Sequence, residues 1–135
     1  MKTTWLHLLA VSIALLLAQR TVRGHHAFSA EFDAAKPVTL TGTVAKIEWT
    51  NPHAHFYLDV KDQGGTVTSW DFETGSPNAL MRRGWSRSSL KPGDMITVNG
   101  YLAKDGTHLA NARSITLADG RNVFAGSSIE TGQTQ

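Results

Sequence analysis

Histidines are the residues in this sequence whose spacing could do chemistry. His53 and His55 stand one residue apart in the stretch "NPHAHFYLDV", and a second pair, His25 and His26, is adjacent. Residues two apart on a strand point to the same face with Cα atoms ~7 Å apart, so both imidazoles could bind one metal ion. Polar side chains are also ordinary on the solvent face of an antiparallel strand. The spacing of His53 and His55 alone is therefore weak evidence for a metal site.

The beginning of the chain has the layout of a secretory signal peptide. A positive N-terminus precedes the apolar run Leu8–Ala18, which is shorter than the ~20 residues that a membrane span needs. Val22 and Gly24 would fill positions −3 and −1 of a cleavage site, and cleavage after Ala18 is the alternative. We predict a signal peptide at residues 1–24 and export of the mature chain; an uncleaved anchor is the competing interpretation.

Cleavage after Gly24 would add further metal-binding nitrogens. His25 would then carry a free α-amine, and this amine and the imidazole of the same residue could chelate one ion near neutral pH. A third nitrogen from His26 or His53 would complete a nitrogen set that suits Cu(II). The sequence thus names copper as the candidate cofactor and, as candidate ligands, His25, His26, His53 and His55. A flexible N-terminal arm is the alternative interpretation of the first pair.

Charge and composition argue against several function classes. The full chain has 13 Lys and Arg residues against 11 Asp and Glu residues, and removal of Lys2, Arg20 and Arg23 with the signal leaves 10 against 11, a net charge of −1. This balance gives no electrostatic case for nucleic acid or an anionic membrane as the main partner. The chain has no cysteine, so a metal site would need histidine, carboxylate, methionine or backbone ligands. No nucleophile elbow, HExxH pair or phosphate loop supports catalysis.

Strand-like segments dominate the mature chain. The predicted elements, in order, are strands at Val38–Trp49, Ala54–Val60 and Thr66–Glu73, a helix between Ser76 and Gly84, a strand within "LKPGDMITVNGYLA", a strand at His108–Leu117 and a short piece at Asn122–Phe124. In the first strand the apolar residues change phase between Val44 and Ile47, which indicates a β-bulge. Gly42 would allow sharp bending nearby.

Three strands, a short helix and two more strands is the element order of an OB-fold. We predict an all-β fold with one short helix, a small five-stranded OB-fold-like barrel at residues 25–127, followed by a disordered tail at residues 128–135. An open sandwich, or a meander capped by the helix, is the alternative. In an OB-fold the first loop and the faces of strands two and three line the ligand groove. The candidate ligand-binding residues there are Trp49, Asn51, His53, Tyr57 and Glu73.

The remaining aromatic residues and a basic cluster have structural interpretations that need no ligand. Trp70 and Phe72 are assigned to the core, while Trp49 is left open between core and ligand site. The basic residues Arg82, Arg83 and Arg87 around Trp85 fit a solvated helix end better than a carboxylate or phosphate site.

Several motifs in order resemble a known family. They are "HHAFSAEFD", "KPVTLTGTV", "EWTNPHA", "GSPNALMRRGW", "LKPGD" and "NARSITLADGR". Together they resemble a family of small secreted bacterial proteins of unknown function, over about His25 to Ser127. The resemblance implies export in a Gram-negative bacterium, to the periplasm or beyond, and it brings no catalytic residues. It implies histidine at the position of His53 and often an aromatic residue at that of His55.

Three functions follow as hypotheses. The first is an exported binding protein that holds a small ligand or a copper-type ion near His53. The second is a non-enzymatic module that docks another envelope protein, and the third, the weakest, is a copper-dependent oxidoreductase. None of them involves nucleic acid or a stable membrane span after cleavage.

Overall fold

The computed structural model describes residues 28–126. In chain order its elements are α1 (Phe28–Glu31), β1 (Phe32–Glu48), β2 (His55–Lys61), β3 (Val67–Glu73), α2 (Pro77–Arg82), β4 (Met95–Ala103), β5 (Leu109–Leu117) and β6 (Asn122–Phe124). The predicted signal peptide, the pair His25 and His26, and the predicted tail lie outside these described residues. Neither described helix has the length and apolar character needed to cross a membrane.

Five strands close into a ring, as the predicted OB-fold-like arrangement requires. The strands pair antiparallel in the order β3-β2-β1-β4-β5, and β5 returns to pair in parallel with β3. The long β1 takes part in both halves of the ring because its first part pairs with β4 and its last part with β2. The structure adds a sixth short strand, β6, alongside β5, and a single helical turn, α1, before β1. The fold class predicted from the sequence is therefore confirmed.

The bulge predicted in β1 is present. The register of β1 with β2 shifts between Val44 and Lys46, which makes Ala45 the extra residue. Close to it, Gly42 lies against the neighbouring strand, where an added Cβ would be 2.4 Å from the carbonyl oxygen of Asp59. Only glycine fits this approach, so β1 can bend tightly into both halves of the ring.

The core fills the inside of the ring. Phe56 and Phe72 stack with ring centroids 5.1 Å apart, and both are almost completely buried. Leu80 of α2 is also in this core cluster. As predicted, Ser76 caps α2, and its hydroxyl oxygen accepts a hydrogen bond from the backbone N–H of Ala79 at 3.3 Å. The rigid packing behind β2 and β3 fixes the strands whose other face carries the polar residues described next.

Candidate functional site

Polar side chains gather on the outside of the β1–β2–β3 part of the ring. We call this surface the histidine face and define it by Lys46, Glu48, His53, His55, Tyr57, Asp71 and Glu73. Phe56 and Leu58 are buried, so the residues that alternate with them along β2 point outward. In the strand pairing His55 lies between Glu48 and Glu73. The sequence prediction that the two histidines share one face is consistent with this alternation.

His53 is held at the entrance to β2 by its neighbours. The Ala54 N–H donates to the Gly75 carbonyl at 3.1 Å, which extends the β2–β3 ladder past the end of both strands. The His53 Nδ1 lies 2.9 Å from the Thr74 carbonyl oxygen and 3.7 Å from Oε1 of Glu73. A carbonyl oxygen only accepts, so Nδ1 carries the proton and donates it. In the neutral ring Nε2 is then the nitrogen with a free lone pair.

His55 is held in a similar way, by a carboxylate. Its Nδ1 lies 2.8 Å from Oδ1 of Asp71, and the two side chains are 25% and 32% exposed. This hydrogen bond from His55 to Asp71 raises the pKa of His55 above its ordinary value, although partial burial opposes the rise. Nδ1 is again the donor, so Nε2 is again the free nitrogen when the ring is neutral.

Glu48, Lys46 and Tyr57 form a connected group beside His55. The Lys46 ammonium bonds to Oε1 of Glu48 and lies 5.3 Å from the centre of the Tyr57 ring. The Tyr57 hydroxyl donates to the other oxygen of Glu48 at 3.2 Å. The hydrogen bond from Lys46 lowers the pKa of Glu48, which is therefore ionised near neutral pH.

Glu73 is the least exposed carboxylate of this face. Its side chain is 15% exposed, and burial is the main reason why its pKa is raised. The nearby acids Glu31 and Asp71 also raise this pKa, while His53 and His55 lower it. An added positive charge close to Glu73 would therefore stabilise its ionised form.

The predicted site residues are only partly brought together. His53, His55, Tyr57 and Glu73 lie on the histidine face. Asn51 is exposed in the preceding loop, where a cis peptide bond joins it to Pro52. Trp49 is half-buried and packs against the core on the other side of β1 from Glu48. Within residues 28–126 there is no group of three or more His, Cys, Asp or Glu side chains arranged to hold a metal ion.

Sequence reasoning missed Glu48 and Lys46 as members of this face. The alternation of β1 would have placed them there once the bulge was located at Ala45. The phase change between Val44 and Ile47 was visible in the sequence, but the residue that bulges was not.

Comparison with known families covers most of the chain. A family model matches residues 14–112. The chain belongs to this family, a family of unknown function (DUF6152). The DUF6152 match includes every residue of the histidine face and ends within β5, so most of the motif "NARSITLADGR" lies beyond it. Among curated proteins nothing matches the chain.

Proposed function

We propose that the chain is an exported binding protein whose histidine face takes a divalent transition-metal ion of the copper type through Nε2 of His53 and His55. The observation that carries this proposal is the hydrogen bonding of both rings. Each Nδ1 donates to an oxygen acceptor, the Thr74 carbonyl or the Asp71 carboxylate. Metal-binding histidines almost always have such a partner on the second nitrogen, because it fixes the tautomer and raises the basicity of the ligand.

The charge of the surrounding residues favours a cation. The carboxylates Glu48, Asp71 and Glu73 surround the two rings, whereas the one ammonium group of the face, on Lys46, is bonded to Glu48. A surface lined mainly by one sign of charge attracts ions of the opposite sign. A bound cation would also offset the cost of keeping Glu73 ionised while it is largely buried.

The chemical nature of the donors favours a copper-type ion over a hard ion. Imidazole nitrogens suit copper, zinc and nickel, whereas calcium and magnesium prefer sites made only of oxygen. Two imidazoles leave coordination positions for a carboxylate, for water, or for His25 and His26.

The test is a metal titration of the full chain as exported. Cu(II) and Zn(II) would be added separately and followed by calorimetry, with electron paramagnetic resonance for copper. We expect His53→Ala and His55→Ala each to weaken binding by at least ~10-fold, since even the loss of an outer partner of a ligand costs 10- to 100-fold. His108→Ala is the matched control, because His108 is an exposed histidine whose ring contacts Trp70, which points to the opposite side of β3 from Asp71.

A separate experiment tests the contribution of His25 and His26. Mass spectrometry of the exported protein identifies its first residue, and His25→Ala tests whether that end contributes to binding. If His25→Ala abolishes copper binding while His53→Ala and His55→Ala leave it intact, the site lies at the N-terminus and the histidine face is not involved. Absence of saturable binding in the unaltered protein would also overturn the proposal.

A further inference from the structure

The end of β1 borders a second concave surface, on the side away from the histidine face. Lys46 and Glu48 point toward the histidine face, and the residues that alternate with them, Ile47 and Trp49, point away from it. Ile47 and Trp49 line a concavity of about 340 Å³ between β1 and the loop that follows α2. We call it the loop pocket; its other lining residues are Ala45, Lys46, Arg87, Leu90 and Pro92.

The floor of the loop pocket is apolar and incompletely covered. Leu90 is buried in the core, and Ile47 and Trp49 pack against that core while remaining half-exposed. A molecule that covered the indole ring and the isoleucine side chain would remove apolar surface from water, which favours binding. The flat indole face is best matched by a planar, aromatic group.

Arg87 supplies a positive charge at the rim. It is exposed, and it lies in a turn held by a hydrogen bond from the Ser86 N–H to the Ser89 hydroxyl at 2.8 Å. Over residues 28–126, none of the ion pairs includes Arg87, whereas the ammonium of Lys46 is already bonded to Glu48. None of the residues that line the pocket is acidic. The guanidinium group is thus the charge that a ligand would meet.

We propose that the loop pocket binds a small amphipathic carboxylate, with an aromatic body against Trp49 and Ile47 and its carboxylate on the guanidinium of Arg87. Arginine binds carboxylates through two parallel hydrogen bonds, which fixes the orientation of the ligand as well as adding affinity. An apolar pocket with one well-placed polar group is the usual composition of a small-molecule site. This inference is independent of metal binding, because the residues that would hold the carboxylate ligand, Ile47, Trp49 and Arg87, are not members of the histidine face.

The experiment uses 2-naphthoate as the probe and 2-naphthamide as its uncharged counterpart. Both are titrated into the ¹⁵N-labelled chain without metal, and NMR spectra report the Trp49 indole N–H and the Ile47 amide. We expect saturable shifts at these two groups with a Kd of about 1 mM or tighter for a ligand of this size. Removal of a charge-assisted hydrogen bond costs about tenfold or more, so naphthamide, and Arg87→Gln with naphthoate, are each expected to bind at least ~10-fold more weakly.

Two controls decide the outcome. Arg113→Gln removes an exposed arginine that donates to the Tyr101 hydroxyl elsewhere on the ring, and it should leave naphthoate binding unchanged. Trp49→Phe keeps an aromatic floor and should retain binding. The proposal is wrong if naphthamide binds as tightly as naphthoate, if Arg87→Gln has no effect, if the shifts centre away from Trp49, or if there is no saturation at about 10 mM.

Discussion

Asp71→Asn should destabilise the protein in a way that depends on pH. Asp71 accepts a hydrogen bond of 2.8 Å from His55, and this bond raises the pKa of His55. A raised pKa means that the folded state holds the proton more tightly than the unfolded chain does. The resulting stabilisation is fully present below the ordinary pKa near 6.5 and is lost as the pH rises through the higher folded value.

The expected loss of stability follows from the strength of the His55–Asp71 hydrogen bond and from the exposure of the two side chains. Hydrogen bonds to charged groups contribute about 1.5–3 kcal/mol, and the partial exposure of both side chains reduces this value through solvent screening. We therefore expect Asp71→Asn to lower the free energy of unfolding by about 1 kcal/mol at pH 5.5 and by only a few tenths at pH 9.

Urea unfolding followed by tryptophan fluorescence at both pH values gives this difference, and NMR titration of the imidazole Cε1–H gives the pKa of His55. The matched control is Asp59→Asn. Asp59 lies on β2, the strand that pairs with the Asp71 strand β3, and it is in no ion pair within residues 28–126. An equal loss of stability at pH 5.5 and pH 9, or an unaltered His55 pKa in Asp71→Asn, would contradict the reasoning.

Further predictions concern the core, a close strand approach and the buried carboxylate. Phe72→Ala should lower the free energy of unfolding by about 3–5 kcal/mol in urea, because a fully buried ring leaves a cavity; a loss below about 1 kcal/mol would contradict its place in the core. Gly100→Ala would put a Cβ 2.2 Å from the Asn111 carbonyl oxygen and should cost about 1–3 kcal/mol or more, whereas Gly64→Ala, in an exposed turn, should cost far less in the same assay. Glu73→Gln should raise the free energy of unfolding at pH 7, because burial raises the pKa of Glu73 and so disfavours its ionised form. That gain should disappear below pH 4.5, where the carboxyl is protonated in both states, and a constant gain at every pH would contradict this explanation.

Local patterns in the sequence were sufficient for much of the fold. Alternation identified which residues of β2 face inward, and the Ser76 and Pro77 pair marked the start of α2 correctly. Both signals depend on neighbours along the chain. The beginning of β1 was placed too late, at Val38 instead of Phe32, because the pairing of its first part with β4 depends on residues far away in sequence.

The site was less accessible to prediction. The spacing of His53 and His55 showed that they share a face, but not which atoms hold their Nδ1 nitrogens. Those partners come from β3 and the residue after it, and their distances depend on the register of the β2–β3 pair. Glu48 required the exact position of the bulge, since an error of one residue moves a side chain to the opposite surface.

The parallel contact between β3 and β5 makes one seam of the ring weaker than the rest. It has three residue pairs, compared with seven between β2 and β3. Beside it the side-chain oxygen of Asn111 is buried without a hydrogen-bond partner among the described residues, which makes the closed seam costlier still. Local opening of the ring should therefore begin with the separation of β3 from β5. Amide hydrogen exchange should then be faster at Ala110 than at Leu58. Because β2 and β3 stay paired in such an opening, Asp71 would remain next to His55. Only the edge of β3 that pairs with β5 would be exposed to solvent.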